Sequence, residues 1–114
     1  MTAFAGGTPR GGYRDVTPAA ALAARGSVRL VDVREPDEFH GELGHIDGAE
    51  LVPLATVMAA AADWDRSAEV ILVCRSGNRS GRAAAALASA GFERVMNLAG
   101  GMIAYGAAGL PIAR

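Results

Sequence analysis

Two short runs, "VRLVDV" from Val28 to Val33 and "EVILVC" from Glu69 to Cys74, constrain this chain more than any other feature. Both are β-branched and almost continuously apolar, the pattern of strands buried on both faces rather than strands with one wet face. Strands of that kind need helices on both sides of their sheet, and the intervening sequence supplies them. Thr17 followed by Pro18 reads as an N-cap and first helical position, "AAALAAR" continues the helix, and Gly26 stops it. "GAELVPL" reads as another short strand and "ATVMAAAADW" as a helix after it, with the charged "REPDEFHGE" as a break. "SGRAAAALASA", Ser80 to Ala90, has strong helix propensity and is closed by Gly91. "RVMNL" is a further strand and "GGMIAYGAAGL" one more short helix. Alternating strands and helices of this character predict an α/β domain with a parallel sheet.

At 114 residues the chain suits one hydrophobic core. Four of the fifteen glycines fall before Tyr13, so residues 1–12 are expected to be a flexible tail and residues 13–114 a single domain. The formal net charge is −1 and lysine is absent, which argues against global attraction to nucleic acid or an anionic membrane. No segment approaches a membrane span. The longest weakly polar run, Leu51 to Ala62, contains Pro53 and Thr56. The start of the sequence lacks the basic and apolar regions of a secretory signal, so the expected setting is the reducing cytoplasm.

Cys74 is the only cysteine, so no intramolecular disulfide is available. His40 and His45 do not complete a zinc-ligand pattern around it, and neither a metal nor another cofactor is expected. Cys74 ends an apolar strand, and ligands of parallel sheets sit beyond the carboxyl ends of the strands. The following "RSGNRSGR" contains glycines and leads into a helix whose first amides lack intrahelical partners, the elements of an anion cradle. Lowering a thiol pKa by about two units takes about 2.7 kcal/mol, whereas one helix terminus supplies about 0.3 to 1. Several converging amides or an added arginine are therefore required for a reactive thiolate. Arg75, Arg79 and Arg82 crowd the positive end of that helix with no acid until Glu93, an arrangement that a bound anion or thiolate would compensate. Arg82 is read as extending into solvent. A buried cysteine used only for packing is the competing reading, and position, glycines and arginines together favour chemistry.

The chain resembles the rhodanese-like domain family, specifically its single-domain sulfurtransferases. The resemblance is carried by "LVDVREPDEF", "GHIDGAELVPL", "VILVCRSGNRSGRAAAAL", "NLAGGMIAY" and "AAGLPI", spread over about Tyr13 to Leu110. It implies a five-stranded, mainly parallel sheet flanked by helices on both faces. It further implies that Cys74 accepts sulfane sulfur as a persulfide and that Arg75, Ser76, Gly77, Asn78 and Arg79 form the loop facing it. Arg79 is the first candidate to hold an oxyanion such as the sulfonate part of thiosulfate, with Arg75 assisting. Asp32, Arg34 and Ser80 are assigned structural support, "GHI" around His45 an architectural role, and Gly100 and Gly101 a tight turn. Tyr105 stands where many relatives carry tryptophan, as a core residue.

The implied reaction moves sulfur from a small-molecule donor through Cys74 to cyanide, a thiol or a carrier protein. Similar cysteine phosphatases and arsenate reductases place five residues between cysteine and arginine, whereas four separate Cys74 from Arg79, so phosphatase or arsenate chemistry ranks low. The alternative from another class is a rhodanese-fold binding or regulatory module without turnover. The retained thiol favours the enzyme.

Overall fold

The computed structural model describes residues 2–114. In chain order they form α1 (Ala3–Gly6), β1 (Thr8–Arg10), β2 (Tyr13–Val16), α2 (Pro18–Ala24), β3 (Arg29–Asp32) and α3 (Pro36–Phe39). There follow β4 (Glu50–Leu51), α4 (Leu54–Ala61), β5 (Glu69–Val73), α5 (Asn78–Ser89), β6 (Arg94–Leu98) and α6 (Gly101–Ala107). The strands make one sheet in the order β1-β2-β6-β5-β3-β4. All neighbouring pairs are parallel except β1 with β2. The capping expectation for α2 holds: the Thr17 hydroxyl accepts the Ala20 N–H at 3.1 Å, with Pro18 in the first turn.

The central strand shows why its sequence is apolar throughout. Side chains alternate across a strand, and both faces of β5 are covered. Val70 and Leu72 join the core beneath Val57 and Ala61 of α4 and Ala83, Ala84 and Leu87 of α5. Ile71 and Val73 face the other layer, with Ala21 of α2 and Met102 and Tyr105 of α6. Complete burial of such aliphatic side chains contributes roughly 1.5 to 3 kcal/mol each. Cys74 continues the alternation into the α5-side core. The period that builds the strand therefore also aims the sulfur at the start of α5. Tyr105 is fully buried, and its hydroxyl donates to the Pro111 carbonyl at 2.8 Å.

The sheet has six strands rather than five, because the leader expected to be a flexible tail is ordered from residue 2 as α1 and β1. Gly11 and Gly12, both at positive φ, make the two-residue turn that folds β1 back on β2. Arg14 fastens α1 by lying over the Phe4 ring at 4.2 Å and donating to the Phe4 carbonyl at 2.8 Å. "PDEF", within the stretch read as a break, is a single helical turn. Its capping box has Glu35 and Glu38 each accepting from the other's backbone N–H. Among the described residues, no helix is long and apolar enough to cross a membrane.

Candidate active site

Cys74 follows β5 directly, and the chain then turns through residues 75–77 into α5. Gly77 adopts φ +97° as the N-cap of that helix, a conformation that favours glycine. Its N–H donates to the Cys74 sulfur at 3.1 Å, and the Ser80 hydroxyl lies 3.2 Å from the same atom. Burial pushes the Cys74 thiol up, but the Ser80 hydroxyl and the N–H groups of Ser80, Gly77 and Ser76 push it down and prevail. The net direction is towards thiolate, achieved by several converging donors rather than by one helix end.

The opposite side of the loop explains how its amides come to face inward. Met102 N–H donates to the Cys74 carbonyl at 2.9 Å and Ile103 N–H to the Arg75 carbonyl at 3.0 Å, so the first turn of α6 draws both carbonyls away from the sulfur. This close approach requires Gly101, where a Cβ would collide with the carbonyls of Cys74 and Arg75. Gly101 thus contacts the cysteine loop itself besides allowing the turn into α6.

Behind the sulfur, residues from two of the quoted motifs meet in a polar chain that local sequence does not reveal. Asn97, on β6, accepts from the Ser80 hydroxyl, and its amide N–H group donates to Asp15 at 3.1 Å and to the Gly77 carbonyl at 3.3 Å. The two amide donations fix which end of Asn97 meets Ser80. A hydroxyl has one proton, so Ser80 can donate to the Asn97 oxygen while accepting a hydrogen bond from the thiol S–H, or turn its own proton to the thiolate. Asn97 is the first residue of the quoted "NLAGGMIAY", but nothing local in sequence reveals that it reaches Ser80, seventeen residues away.

The loop arginines have different environments. Arg75 makes no side-chain hydrogen bond or ion pair among the described residues. Arg79 is engaged in a two-pronged bond with Glu38 of α3, its Nη1 and Nη2 donating to Oε2 and Oε1 at 2.8 and 2.7 Å. An anion that offsets Arg79 is thus supplied by the chain itself, from 41 residues earlier. Asn78 begins α5, and Ser76 contributes backbone to the loop.

Asp32 and Arg34 form a second two-pronged pair, fully buried, with Nε to Oδ1 at 2.9 Å and Nη2 to Oδ2 at 2.8 Å. Arg34 also donates to the carbonyls of Glu38 and Gly44, joining the end of β3 to α3 and the "GHI" segment. His45 stacks on Phe39 at 3.6 Å, its Nδ1 lies 2.8 Å from the Phe39 carbonyl, and its backbone bridges Ala113. It is not a hydrogen-bond partner of the Cys74 sulfur among the described residues. No group of three or more potential metal ligands occurs among the described residues. Beside Arg75 is a recess of about 180 Å³, also lined by Arg34, Glu38, Glu42 and Leu43.

Comparison with known proteins places the chain in a family. The family described as "Rhodanese-like domain" matches residues 15–108. The chain is 43% identical over 90 residues to the uncharacterized protein slr1261 of Synechocystis, covering 79% of this chain and 49% of that one. It thus spans about half the length of that relative. Over 91 residues it is 40% identical to a protein of Allochromatium vinosum named Sulfurtransferase, covering 80% of this chain and 83% of the relative. The fold also matches the crystal structure of a rhodanese-related protein from Thermoplasma volcanium, with TM-score 0.77 and 24% identity over 89% of this chain and 98% of the other.

Proposed function

The chain belongs to the rhodanese-like domain family, and from that premise we propose that it is a sulfurtransferase working through a persulfide on Cys74. The observation that carries the reading is the Cys74 sulfur held at the entrance to α5 by the Gly77 N–H and the Ser80 hydroxyl, 3.1 and 3.2 Å away. A donor set of this kind favours an anionic sulfur, both the attacking thiolate and the persulfide that replaces it. The relative named Sulfurtransferase supports the same class of chemistry.

In the first half-reaction the Cys74 thiolate attacks the outer sulfur of a donor such as thiosulfate. A new S–S bond forms, the donor's own S–S bond breaks, and sulfite leaves with its electron pair. Charge is conserved, because the persulfide carries the charge the thiolate had. In the second half, cyanide, a thiol or a carrier protein takes the terminal sulfur and Cys74 returns as thiolate. This is ping-pong chemistry. With no second cysteine in the chain, the acceptor is external. A nucleophile that must remain a free thiol suits a reducing, cytoplasmic setting.

Intact-mass measurement of the reduced protein before and after thiosulfate, then after cyanide, tests the reading. The expected result is a gain of one sulfur that cyanide discharges as thiocyanate and that Cys74→Ala abolishes. No loading from thiosulfate, from a thiosulfonate or from a protein persulfide would leave the fold as a binding module instead.

A further inference from the structure

The loop arginine best placed by sequence to receive an anionic donor is already occupied. Both prongs of the Arg79 fork are bonded to Glu38, the geometry in which a guanidinium would grip a sulfonate or sulfate. We infer that Glu38 is a specificity-determining residue of the Cys74 site, competing with the donor's anionic group for Arg79 and weakening the use of dianionic donors. The inference rests on the sulfurtransferase reading and concerns which donors that site accepts.

Three observations converge on it. Glu38 is held in place: its Oε2 also accepts the Glu35 N–H at 3.0 Å, and its backbone carbonyl accepts from the buried Arg34. Its carboxylate is therefore presented to Arg79 by the fold. The pair remains open to solvent, with side chains 31% and 26% exposed for Arg79 and Glu38, so an incoming anion can exchange with the carboxylate without unpacking the core. The nearby recess offers little other positive charge. Arg34 is matched by Asp32, and Arg75 shares the lining with two carboxylates, Glu38 and Glu42. A donor with two charges meets more opposition there than a donor with one. The Arg79 hydrogen bonds hold the Glu38 carboxyl down at about 2, against a smaller opposing effect of burial, so it stays ionised near neutrality.

The test compares wild type with Glu38→Gln, which keeps a side-chain oxygen for the Glu35 N–H and thus the α3 cap. Two donors isolate charge: thiosulfate, a dianion, and methanethiosulfonate, a monoanion that delivers the same sulfur and releases a sulfinate. Loss of competition should lower the KM for thiosulfate about tenfold with kcat within about twofold, equivalent to about 1.4 kcal/mol of added binding. The gain should be smaller for methanethiosulfonate and vanish when Glu38→Gln is combined with Arg79→Ala. Equal gains for both donors, an unchanged KM, or a gain that survives loss of Arg79 would overturn the inference.

A second measurement needs no turnover: protection of Cys74 from iodoacetamide by sulfate. Tighter protection in Glu38→Gln by about tenfold is expected, and equal protection in both proteins would overturn the inference. If neither these two donors nor a protein persulfide loads sulfur, the persulfide reading falls, while sulfate protection still decides whether Glu38 competes for Arg79.

Discussion

Two arginine–carboxylate pairs brace the same side of the molecule with the same two-pronged geometry and opposite surroundings. Asp32 with Arg34 lies two residues apart in sequence, with side chains 0% and 1% exposed. Glu38 with Arg79 bridges 41 residues and stays partly wet. The inner pair has every prong committed, because Arg34 also serves the carbonyls of Glu38 and Gly44. It is a brace that no ligand can exchange. The outer pair has solvent as a third participant, so it can release a charge to something else. Burial rather than bonding pattern separates a structural ion pair from one that can take part in recognition.

Breaking the inner pair should give the largest effect. Asp32→Ala leaves the Arg34 guanidinium charged, buried and short of its carboxylate, which costs about 3 to 5 kcal/mol. Urea unfolding should show a collapse of the midpoint, with much of the variant unfolded where wild type is native. Replacing both partners together by Val at 32 and Leu at 34 should cost markedly less, since the penalty arises from one uncompensated charge. A double variant as unstable as the single one would mean that the bonds to α3 and the "GHI" segment, not charge balance, are what the pair provides.

The contrast also marks what sequence can carry. The inner pair is local, and the resemblance assigned Asp32 and Arg34 support at the strand end. The two-faced burial of β5 was equally legible, since Val70 to Val73 write both core faces in consecutive letters. Cys74 at its end follows from the same periodicity. Glu38 with Arg79 and Asn97 with Ser80 were not legible, because each depends on the sheet order that brings distant segments together. The leader misled for another reason. Its glycines read as entropy, yet Gly11 and Gly12 make a hairpin turn, and Arg14 supplies the contact that orders Phe4. α3 escaped notice because four residues are too few for a periodic pattern.

An intermediate effect separates the pairs by substrate rather than stability. Arg79→Ala removes the outer fork and leaves Glu38 free to hydrate, so unfolding should shift by about 1 kcal/mol at most. Sulfur loading should suffer more: the KM for thiosulfate should rise about tenfold, and that for a monoanionic donor less, as expected for loss of one anion contact. Equal loss with every donor would point instead to collapse of the loop around Cys74, detectable as slowed alkylation of that thiol.

The smallest effect is a pH dependence confined to the outer pair. Hydrogen bonding to Arg79, against a smaller cost of burial, holds the Glu38 carboxyl at about 2, below its ordinary 4.5. A carboxyl depressed by folding stabilises the native state fully above its unfolded pKa and loses that contribution as pH falls through its folded value. For Glu38 the contribution is complete above about pH 4.5 and lost by about pH 2. The whole shift would correspond to about 3 kcal/mol, but screening of a half-wet pair leaves about 1. Urea midpoints of wild type and Glu38→Gln should therefore differ modestly at about pH 6, and by less than half as much at about pH 3. A gap that persists unchanged at the lower pH would show that the carboxylate's charge contributes nothing. Glu38 would then act on stability through packing or uncharged hydrogen bonds that Gln does not reproduce, and the outer pair would be only a second structural one.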